Sequence, residues 1–467
     1  MKQRKRMLAA VIAASALFVA ACSSDDDGGD TADTEAPADD TGAPDETTAP
    51  DETTAPDETT VDTEPPAEAW AVDTSICVDE DAANAPIEGT ISVGAAMPLS
   101  GGAAAAAFAP VKDGFDAYIQ YANENDLLNG VEITLTVEDD QYIPEQTPGA
   151  VNKLIDQGVN IFAGIIGSPN NLAVRDTLND NCIPQLEALT GSPAWGDVAD
   201  YPWTTGQLVP YDIESKVYAA QIQELFPDGA SVYLYNVNNE FGQYYVDAFN
   251  EVSGDFGIEI LGDETIEPGD AAPPIAQVTN IAAAKPDVIM AIPLGAQCIT
   301  FLSELANQKA ANAGWDPKVF ITNTCASSLI LGAAGAAANG IYTSSNGIDV
   351  TNPANADIPA VAEYLAYMEG LGKGDIVATA AAGWSTGEVL VAILQAAQAS
   401  DEGLTRASII NAARNLTYHP SLALDGVDYK MSGEEDAYAF QSLVVRTYDA
   451  TNAVFTDVGT LITDNES

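Results

Sequence analysis

The chain has 467 residues, enough for two or three domains, and its 46% hydrophobic content is typical of a globular protein with a sizeable core. Its 70 Asp and Glu against 16 Lys and Arg give a formal net charge of −54. This charge argues against a nucleic-acid partner, because phosphate binders need clustered Lys and Arg, and also against docking on an anionic membrane face. It favours a soluble, monomeric protein that works outside the cytoplasm.

The N-terminus predicts a secretion signal over residues 1–21. Four basic residues lie within positions 2–6, and the apolar segment Leu8–Val19 that follows is too short to span a membrane in a mature protein. The segment ends in Val-Ala-Ala-Cys, which resembles a bacterial lipobox. We therefore expect cleavage before Cys22 and lipidation of its thiol, with the lipid as the only membrane contact. The alternative is an ordinary signal peptide followed by a chance cysteine.

Residues 22–69 predict a disordered acidic tether. Residues 23–69 contain no Lys or Arg, and Ala-Pro-Asp-Glu-Thr-Thr occurs three times in tandem from position 43 to position 60. Such a segment cannot bury enough apolar surface to offset its chain entropy, and its like charges and prolines keep it extended. A calcium-binding tract is the rival interpretation, but nothing in the sequence fixes the carboxylates around one ion.

Four cysteines remain after the signal peptide, an even number that suggests two disulfides in an exported protein. We expect Cys77–Cys182 and Cys298–Cys325, because each pair would tie segments beside neighbouring strands. The other pairings and buried free thiols are the alternatives.

From Pro86 the pattern alternates between strand and helix, which predicts an α/β fold with parallel sheets flanked by helices. A buried strand, Ile91–Met97, runs into a Gly-rich turn and a helix, and ligands of open α/β sheets bind beyond such strand ends. The expected strands are 90–97, 131–138, 160–165, 183–188, 230–236, 257–262, 287–292 and 318–322. The expected helices between them are 108–124, 146–157, 170–180, 211–225, 239–252, 273–284 and 298–312.

The last part of the chain predicts helices at 355–370, 378–399 and 405–414 and strands at 439–448 and 453–460. The apolar stretch Ile376–Ala399 is long enough to span a membrane, but Glu388 and Gln395 interrupt it. A central carboxylate costs about 3 kcal/mol in lipid, so we interpret the stretch as a buried helix of a soluble lobe.

Catalytic signals are weak. His419 is the one histidine, which excludes a metal site built on two histidines, and the chain has no P-loop motif. Gly383–Gly387 reads Gly-Trp-Ser-Thr-Gly and matches the nucleophile elbow of hydrolases, with Asp401 and His419 following in hydrolase order. The motif lies in a helix-like run instead of between a strand and a helix, so catalysis through Ser385 is the weaker interpretation.

Four segments stand in a characteristic order. They read GAAMPLSGG at 94–102, VNIFAGIIGSPNN at 159–171, IPQLEALTGSP at 183–193 and NEFGQYY at 239–245. With Lys285–Ile289, their order and spacing resemble type I periplasmic binding proteins of the branched-chain amino-acid class, the substrate-binding components of ABC importers. The resemblance covers about residues 88–460.

The resemblance implies a two-lobe clamshell with three crossover hinges, near Thr204–Gln207, Ile341–Ser345 and 423–440. Lobe 1 would comprise 70–206 and 341–423, and lobe 2 would comprise 207–340 and 424–467. Ligand would bind in the cleft, the lobes would close by a hinge motion, and a membrane permease would recognise the closed form.

The family pattern also suggests binding residues. Ser168 stands where the family holds a ligand carboxylate, with a helix N-cap as the competing role. The loop Asn323–Cys325 lacks the acid that would meet an α-ammonium, which argues against an α-amino acid unless Glu187 or Glu240 supplies the charge. Trp384 stands where the family often places a rim aromatic, with a core position as the alternative. The candidate ligand-binding residues are Ser168, Thr190, Gly191, Ser192, Phe241, Gln297, Thr324 and Trp384.

These observations predict a lipid-anchored solute-binding protein that delivers a small polar organic solute, of amino-acid, amide or carboxylate type, to an ABC importer. It would catalyse nothing and need no cofactor. The rivals are a ligand-sensing receptor component with the same clamshell, a lipoprotein hydrolase acting through Ser385, and a surface adhesin on a stalk.

Overall fold

A computed structural model of the protein describes residues 69–463. The predicted signal peptide, the lipidation site Cys22 and the tether up to residue 68 lie outside the described residues. Within the described range the chain forms two α/β lobes, each built on its own sheet.

The first lobe contains a five-stranded sheet in which every paired strand runs parallel, in the order β2-β1-β3-β4-β5. The strand β2 lies at one edge of this sheet. The strands are β1 (Thr90–Met97), β2 (Glu132–Asp139), β3 (Ile161–Ala163), β4 (Gln185–Ala188) and β5 (Thr204–Gly206). The helices of this part of the chain are α1 (Glu80–Asn84), α2 (Ala105–Glu124), α3 (Thr147–Asp156) and α4 (Ser168–Asp180).

The second lobe contains a seven-stranded sheet in the order β14-β13-β10-β9-β8-β6-β7. Its strands β6 to β10 are parallel, and the C-terminal hairpin of β13 and β14 joins them in antiparallel pairing. The strands are β6 (Ala230–Val237), β7 (Ile258–Ile266), β8 (Val288–Ile292), β9 (Lys318–Ile321), β10 (Tyr342–Ser345), β13 (Leu443–Asp449) and β14 (Val454–Ile462). The helices are α5 (Tyr211–Leu225), α6 (Glu240–Val252), α7 (Ile275–Ala284), α8 (Ala296–Ala311) and α9 (Ser328–Ala334).

Between β10 and β13 the chain returns to the first lobe. This segment contains α10 (Pro359–Gly370), α11 (Val377–Gln398), α12 (Arg406–Asn415) and the short strands β11 (Thr417–Tyr418) and β12 (Tyr429–Lys430). Among residues 69–463, α11 is the helix long and apolar enough to cross a membrane, and most of it is buried in the protein. This agrees with the prediction of a buried helix.

Helices α2 and α11 cross in direct backbone contact. A Cβ atom on Gly114 would lie 1.8 Å from the Ala380 carbonyl oxygen, and one on Gly383 would lie 1.8 Å from the Val111 carbonyl oxygen. Only glycine fits at either position. Gly383 of the Gly-x-Ser-x-Gly motif is therefore a packing residue, and the motif lies inside a helix, without the strand-to-helix turn that a nucleophile elbow requires.

The structure differs from the predicted lobe boundaries at two segments. β10 pairs with β13 and β9 in the second sheet, although we assigned residues 341–423 to the first lobe. Residues 424–440 lie against the first lobe: the Met431 amide donates to the Leu416 carbonyl (3.1 Å), and the Tyr438 hydroxyl donates to the Pro193 carbonyl (2.8 Å). A four-residue strand and an irregular segment carry no sequence signal that tells which sheet they join.

Within residues 69–463 two disulfides are present, and they join the pairs expected from the sequence. Cys77–Cys182 connects the segment before α1 to the turn between α4 and β4. Cys298–Cys325 connects the first turn of α8 to the loop after β9.

Candidate ligand-binding site

A cleft of about 210 Å³ lies at the carboxyl ends of strands from both sheets. This is the position at which open α/β sheets bind ligands. Most of its lining is apolar, and both lobes contribute. The apolar and aromatic lining residues include Ala107, Phe108, Val111, Tyr142, Ile166, Leu189, Leu208, Tyr211, Phe241, Leu294, Ala326, Ile330, Ala378 and Ala382.

Aromatic rings from both lobes form part of the wall. Phe108 of α2 stacks on Tyr142, with ring centroids 6.3 Å apart, and Tyr211 of α5 meets Phe241 of α6 edge-on at 5.4 Å. Asn239 accepts a hydrogen bond from the Gly242 amide (3.3 Å) and so caps the helix that carries Phe241. These rings offer flat, rigid surfaces to an apolar ligand.

Hydroxyl and amide groups form the polar part of the lining. The Ser327 and Thr379 hydroxyls are hydrogen-bonded to each other at 2.8 Å, one from each lobe. The other polar lining residues are Asn323, Thr324, Ser344, Ser345 and Asn346. None of the lining residues, all within the described range, is charged. The cleft therefore offers hydrogen bonds without a direct ionic partner.

One carboxylate, Glu214 of α5, lies directly behind the polar lining. It is fully buried and accepts hydrogen bonds from Tyr218 (2.6 Å), Ser344 (2.8 Å), the Asn323 amide (2.9 Å) and Tyr245. Burial raises the pKa of Glu214, and the four donors oppose that rise. The network fixes Asn323 and Ser344, two groups that face the ligand space.

Sequence reasoning missed Glu214. Its position was readable: Tyr211, Glu214 and Tyr218 follow the i, i+3, i+7 spacing that places side chains on one face of a helix. An acid within a buried stripe indicates a polar network, although the spacing does not show which loop it reaches.

Ser168 and Thr190 lie together behind the cleft. Their hydroxyl oxygens are 2.5 Å apart, and the Tyr211 hydroxyl donates to Thr190 at 3.3 Å. Both side chains are buried, and neither is among the residues that line the cleft. Gly167, not Ser168, occupies the N-cap position of α4 and lines the cleft beside them. Their binding role thus stays a prediction.

Gly191 and Ser192 lie at the first crossover, outside the cleft lining. The Gly191 carbonyl accepts from the Tyr211 amide at 2.8 Å, and a Cβ on Gly191 would lie 2.3 Å from the Val209 carbonyl oxygen. The Ser192 hydroxyl accepts from the Ala194 amide and caps a short helical turn. Both residues shape the crossover in this structure.

Phe241 and Thr324 line the cleft, whereas Gln297 and Trp384 do not. The buried Gln297 amide donates to the carbonyls of Glu267 (2.9 Å) and Asp270 (2.8 Å). These two hydrogen bonds hold the loop that follows β7. Trp384 is 3% exposed and packs between α2 and α10, with ring centroids 4.9 Å from Tyr118 and 5.2 Å from Tyr364. The structure thus places Trp384 in the core instead of at the rim.

The acids considered as ammonium partners also lie elsewhere. Glu187 is fully buried inside the first lobe, and Glu240 is exposed at the start of α6. Neither lines the cleft. Within residues 69–463, no group of three or more His, Cys, Asp or Glu is placed to hold a metal ion.

The geometry of the hydrolase alternative is unfavourable. Ser385 lies inside α11, and His419 is an exposed residue whose Nδ1 is 2.9 Å from Asp428. The histidine is thus engaged with an acid on the surface, away from any strand-to-helix turn.

Comparison with known families matches the model of a periplasmic binding protein family to residues 90–450. The chain belongs to this periplasmic binding protein family. Among curated relatives, the Leu/Ile/Val-binding protein BraC3 of Rhizobium johnstonii is 26% identical over 201 residues, and Leu/Ile/Val-binding protein homolog 2 of Brucella abortus is 30% identical over 105 residues. These matches cover 43% and 22% of this chain, and only 53% and 28% of those relatives.

Solved structures share this fold over 80–82% of the chain. A branched-chain amino-acid ABC transporter protein from Thermus thermophilus with bound valine has a TM-score of 0.71 at 16% identity, over 80% of this chain and 97% of that one. A solute-binding protein from R. palustris in complex with benzoate has a TM-score of 0.67 at 19% identity, over 81% and 99%. A fatty acid ABC transporter substrate-binding protein from Thermomonospora curvata gives 0.66 at 18%, over 82% and 94%. At sequence identities of 16–19%, the structural likeness establishes the fold and nothing beyond it.

Proposed function

We propose that this periplasmic binding protein is an extracytoplasmic, lipid-anchored component of an ABC importer that captures a small organic solute by hinge closure. The observation that carries the proposal is the cleft itself, formed at the carboxyl ends of the strands of two lobes. The chain passes between those lobes three times, which allows them to close as rigid bodies around a ligand.

Contacts across the mouth of the cleft support a closing motion. The Ala296 amide at the start of α8 donates to the Ala103 carbonyl before α2 at 2.9 Å, which joins the two lobes. The polar pair Ser327–Thr379 also crosses from one lobe to the other. Such contacts are made only when the lobes approach each other.

The lining favours some predicted solutes over others. An α-amino acid would bring an ammonium and a carboxylate into a cleft whose lining provides hydroxyls and amides. Burying an unpaired charge costs several kcal/mol, so amides and other neutral polar groups fit this lining better. The protein would need no cofactor and catalyse no reaction, because it only binds and releases its solute.

A thermal-shift screen tests the binding function. The library should hold amino acids, amides, alcohols and carboxylates with aliphatic and aromatic bodies. A ligand present at 100 times its Kd adds about 2.7 kcal/mol to the free energy of unfolding, so a true ligand raises Tm clearly. If no compound in the library changes Tm, the proposal loses its main support. Uptake of the identified solute by cells that lack the protein separates transport from sensing.

Membrane fractionation tests the anchor. We expect the native protein in the membrane fraction and the Cys22→Ser variant in the soluble extracytoplasmic fraction, because acyl chains provide the membrane affinity. An unchanged distribution of the variant would contradict lipidation at Cys22.

A further inference from the structure

A second chamber adjoins the cleft on the side of the crossover segments. Its volume is also about 210 Å³. The two spaces are adjacent, because seven residues line both of them: Leu189, Leu208, Ala326, Ser345, Asn346, Ala378 and Ala382. We call this second space the hinge chamber.

Helix α11 forms a continuous floor under both spaces. Ala378 and Ala382 face both, whereas Ala381 and Ser385 face the hinge chamber alone. Each of these positions is within about one helical turn of the next. Three of the four are alanines, whose side chain is a single methyl group. These short side chains add little bulk between the two spaces.

The hinge chamber is mainly apolar and, like the cleft, has no charged residue in its described lining. Its far end is formed by Ile348, Leu422, Ala423 and Phe440 from the second and third crossover segments. The polar side chains of its lining are Gln207, which accepts a hydrogen bond from Thr386 at 2.9 Å, and Ser345, Asn346 and Ser385, and the other lining residues are apolar apart from Gly347. The chamber therefore favours a hydrocarbon part of a ligand.

The two volumes set the size of the ligand. An apolar protein cavity of about 150 Å³ is large enough for benzene. Each of the two spaces exceeds that volume, so one ring or one branched amino-acid side chain would leave one of them empty.

From these observations we infer that the solute is an elongated, uncharged and mostly apolar molecule. Its polar end lies among the hydroxyls and amides of the cleft, and its hydrocarbon part extends past Ala378 and Ala382 into the hinge chamber. This inference rests on the proposed binding function and narrows its substrate class.

Isothermal titration with unbranched primary amides from butanamide to decanamide tests the inference. Each methylene that enters an apolar site adds about fourfold in affinity. We expect Kd to fall by about that factor per carbon until both spaces are filled. Norleucine and hexanoate serve as matched compounds with charged ends, and we expect each to bind at least tenfold more weakly than hexanamide.

The Ala381→Leu variant blocks the hinge chamber without altering the cleft. We expect the longest amides to lose at least tenfold in affinity while butanamide binds as it does to the native protein. Ala412→Leu, at another half-buried helical alanine outside both linings, is the matched control and should leave the whole series unchanged. A thermal melt of each variant reports folding, and the amide series on the native protein does not depend on either variant.

Three outcomes overturn the inference. The first is a Kd that does not fall with chain length, and the second is norleucine binding as tightly as hexanamide. The third is an equal loss of short and long amides in Ala381→Leu. In each of these cases a small molecule still binds, so the proposed binding function survives. If nothing in the broader screen binds either, both proposals fail.

Discussion

Glu187 is an unusual residue because a carboxyl group is buried without compensation. It is fully buried, its φ is +50°, and neither carboxyl oxygen has a hydrogen-bond partner in the described part of the chain. Its backbone amide donates to the Thr205 hydroxyl at 3.0 Å, beside an irregularity in the pairing of β4 with β5. Burial raises the pKa of Glu187 well above its ordinary value.

This burial predicts a pH-dependent stability. Because the folded-state pKa is raised, the stability contributed by the protonated group is fully present below the unfolded pKa of about 4.3 and is lost as pH rises through the folded pKa. Glu187→Gln removes this titration. We expect the Tm of the variant to exceed that of the native protein at neutral pH, with a difference that shrinks towards pH 4. If the Tm of the two proteins changed in parallel between pH 4 and neutral pH, the burial of an uncompensated Glu187 carboxyl group would be contradicted.

At the level of elements, the crossing of α2 and α11 is the tightest contact in the first lobe. Gly114→Ala forces a methyl group into the Ala380 carbonyl, so we expect a loss of about 1–3 kcal/mol in the free energy of unfolding, measured by urea denaturation. Gly149 of α3 is the matched control because a Cβ there meets no atom within 4 Å. Gly149→Ala should stabilise the protein by about 0.5–1 kcal/mol. Equal effects of both substitutions would refute this view of the crossing.

The two disulfides serve different elements, and their removal should have different readouts. Cys77 and Cys182 are 105 positions apart and Cys298 and Cys325 only 27, so the chain-entropy model predicts losses of about 4.8 and 3.5 kcal/mol. The second bridge also holds the loop that carries Thr324, a residue of the cleft. We expect paired Cys→Ser substitutions at 298 and 325 to weaken ligand binding, while those at 77 and 182 lower Tm alone. Unchanged Kd in the former would argue against this positioning role.

The elements themselves were largely predictable. The period of apolar residues placed α5 at 211–225, where the structure has it, and most other elements within a few residues. The site was less accessible to sequence reasoning. Phe241 and Thr324 reach the cleft, but Trp384 is drawn into a cluster of tyrosines from α2 and α10 that no local pattern reveals. The alanines of α11 gave no signal at all, since a ligand passage and a packed helix face have the same composition.

For the whole molecule, one of the contacts between the lobes depends on a glycine. Gly295 has φ +54°, and a Cβ there would lie 2.1 Å from the Ala103 carbonyl oxygen of the opposite lobe. Gly295→Ala should therefore disfavour closure. A smaller population of the closed form raises the apparent Kd in proportion, so we expect weaker binding. Because alanine is strained at a φ of +54°, we also expect a lower Tm of the free protein.

Small-angle scattering and titration together check this prediction. The ligand-induced decrease in radius of gyration should become smaller in Gly295→Ala. Gly269 is the matched control, because it lies beside Gly102 of the opposite lobe and a Cβ there would meet no atom within 4 Å. If Gly295→Ala closes and binds like Gly269→Ala, the contact does not control closure.

The contact between α2 and α11 also has a consequence for how the chain folds. The two helices are separated in sequence by most of the second lobe, so the face of α2 that meets Gly383 stays uncovered until α11 is available. Distant pairings of this kind slow folding, because the intervening chain must be ordered first. The first lobe therefore cannot complete its core from its N-terminal segments alone. The arrival of α11 therefore limits when the first lobe can finish folding, in whatever order its earlier elements form.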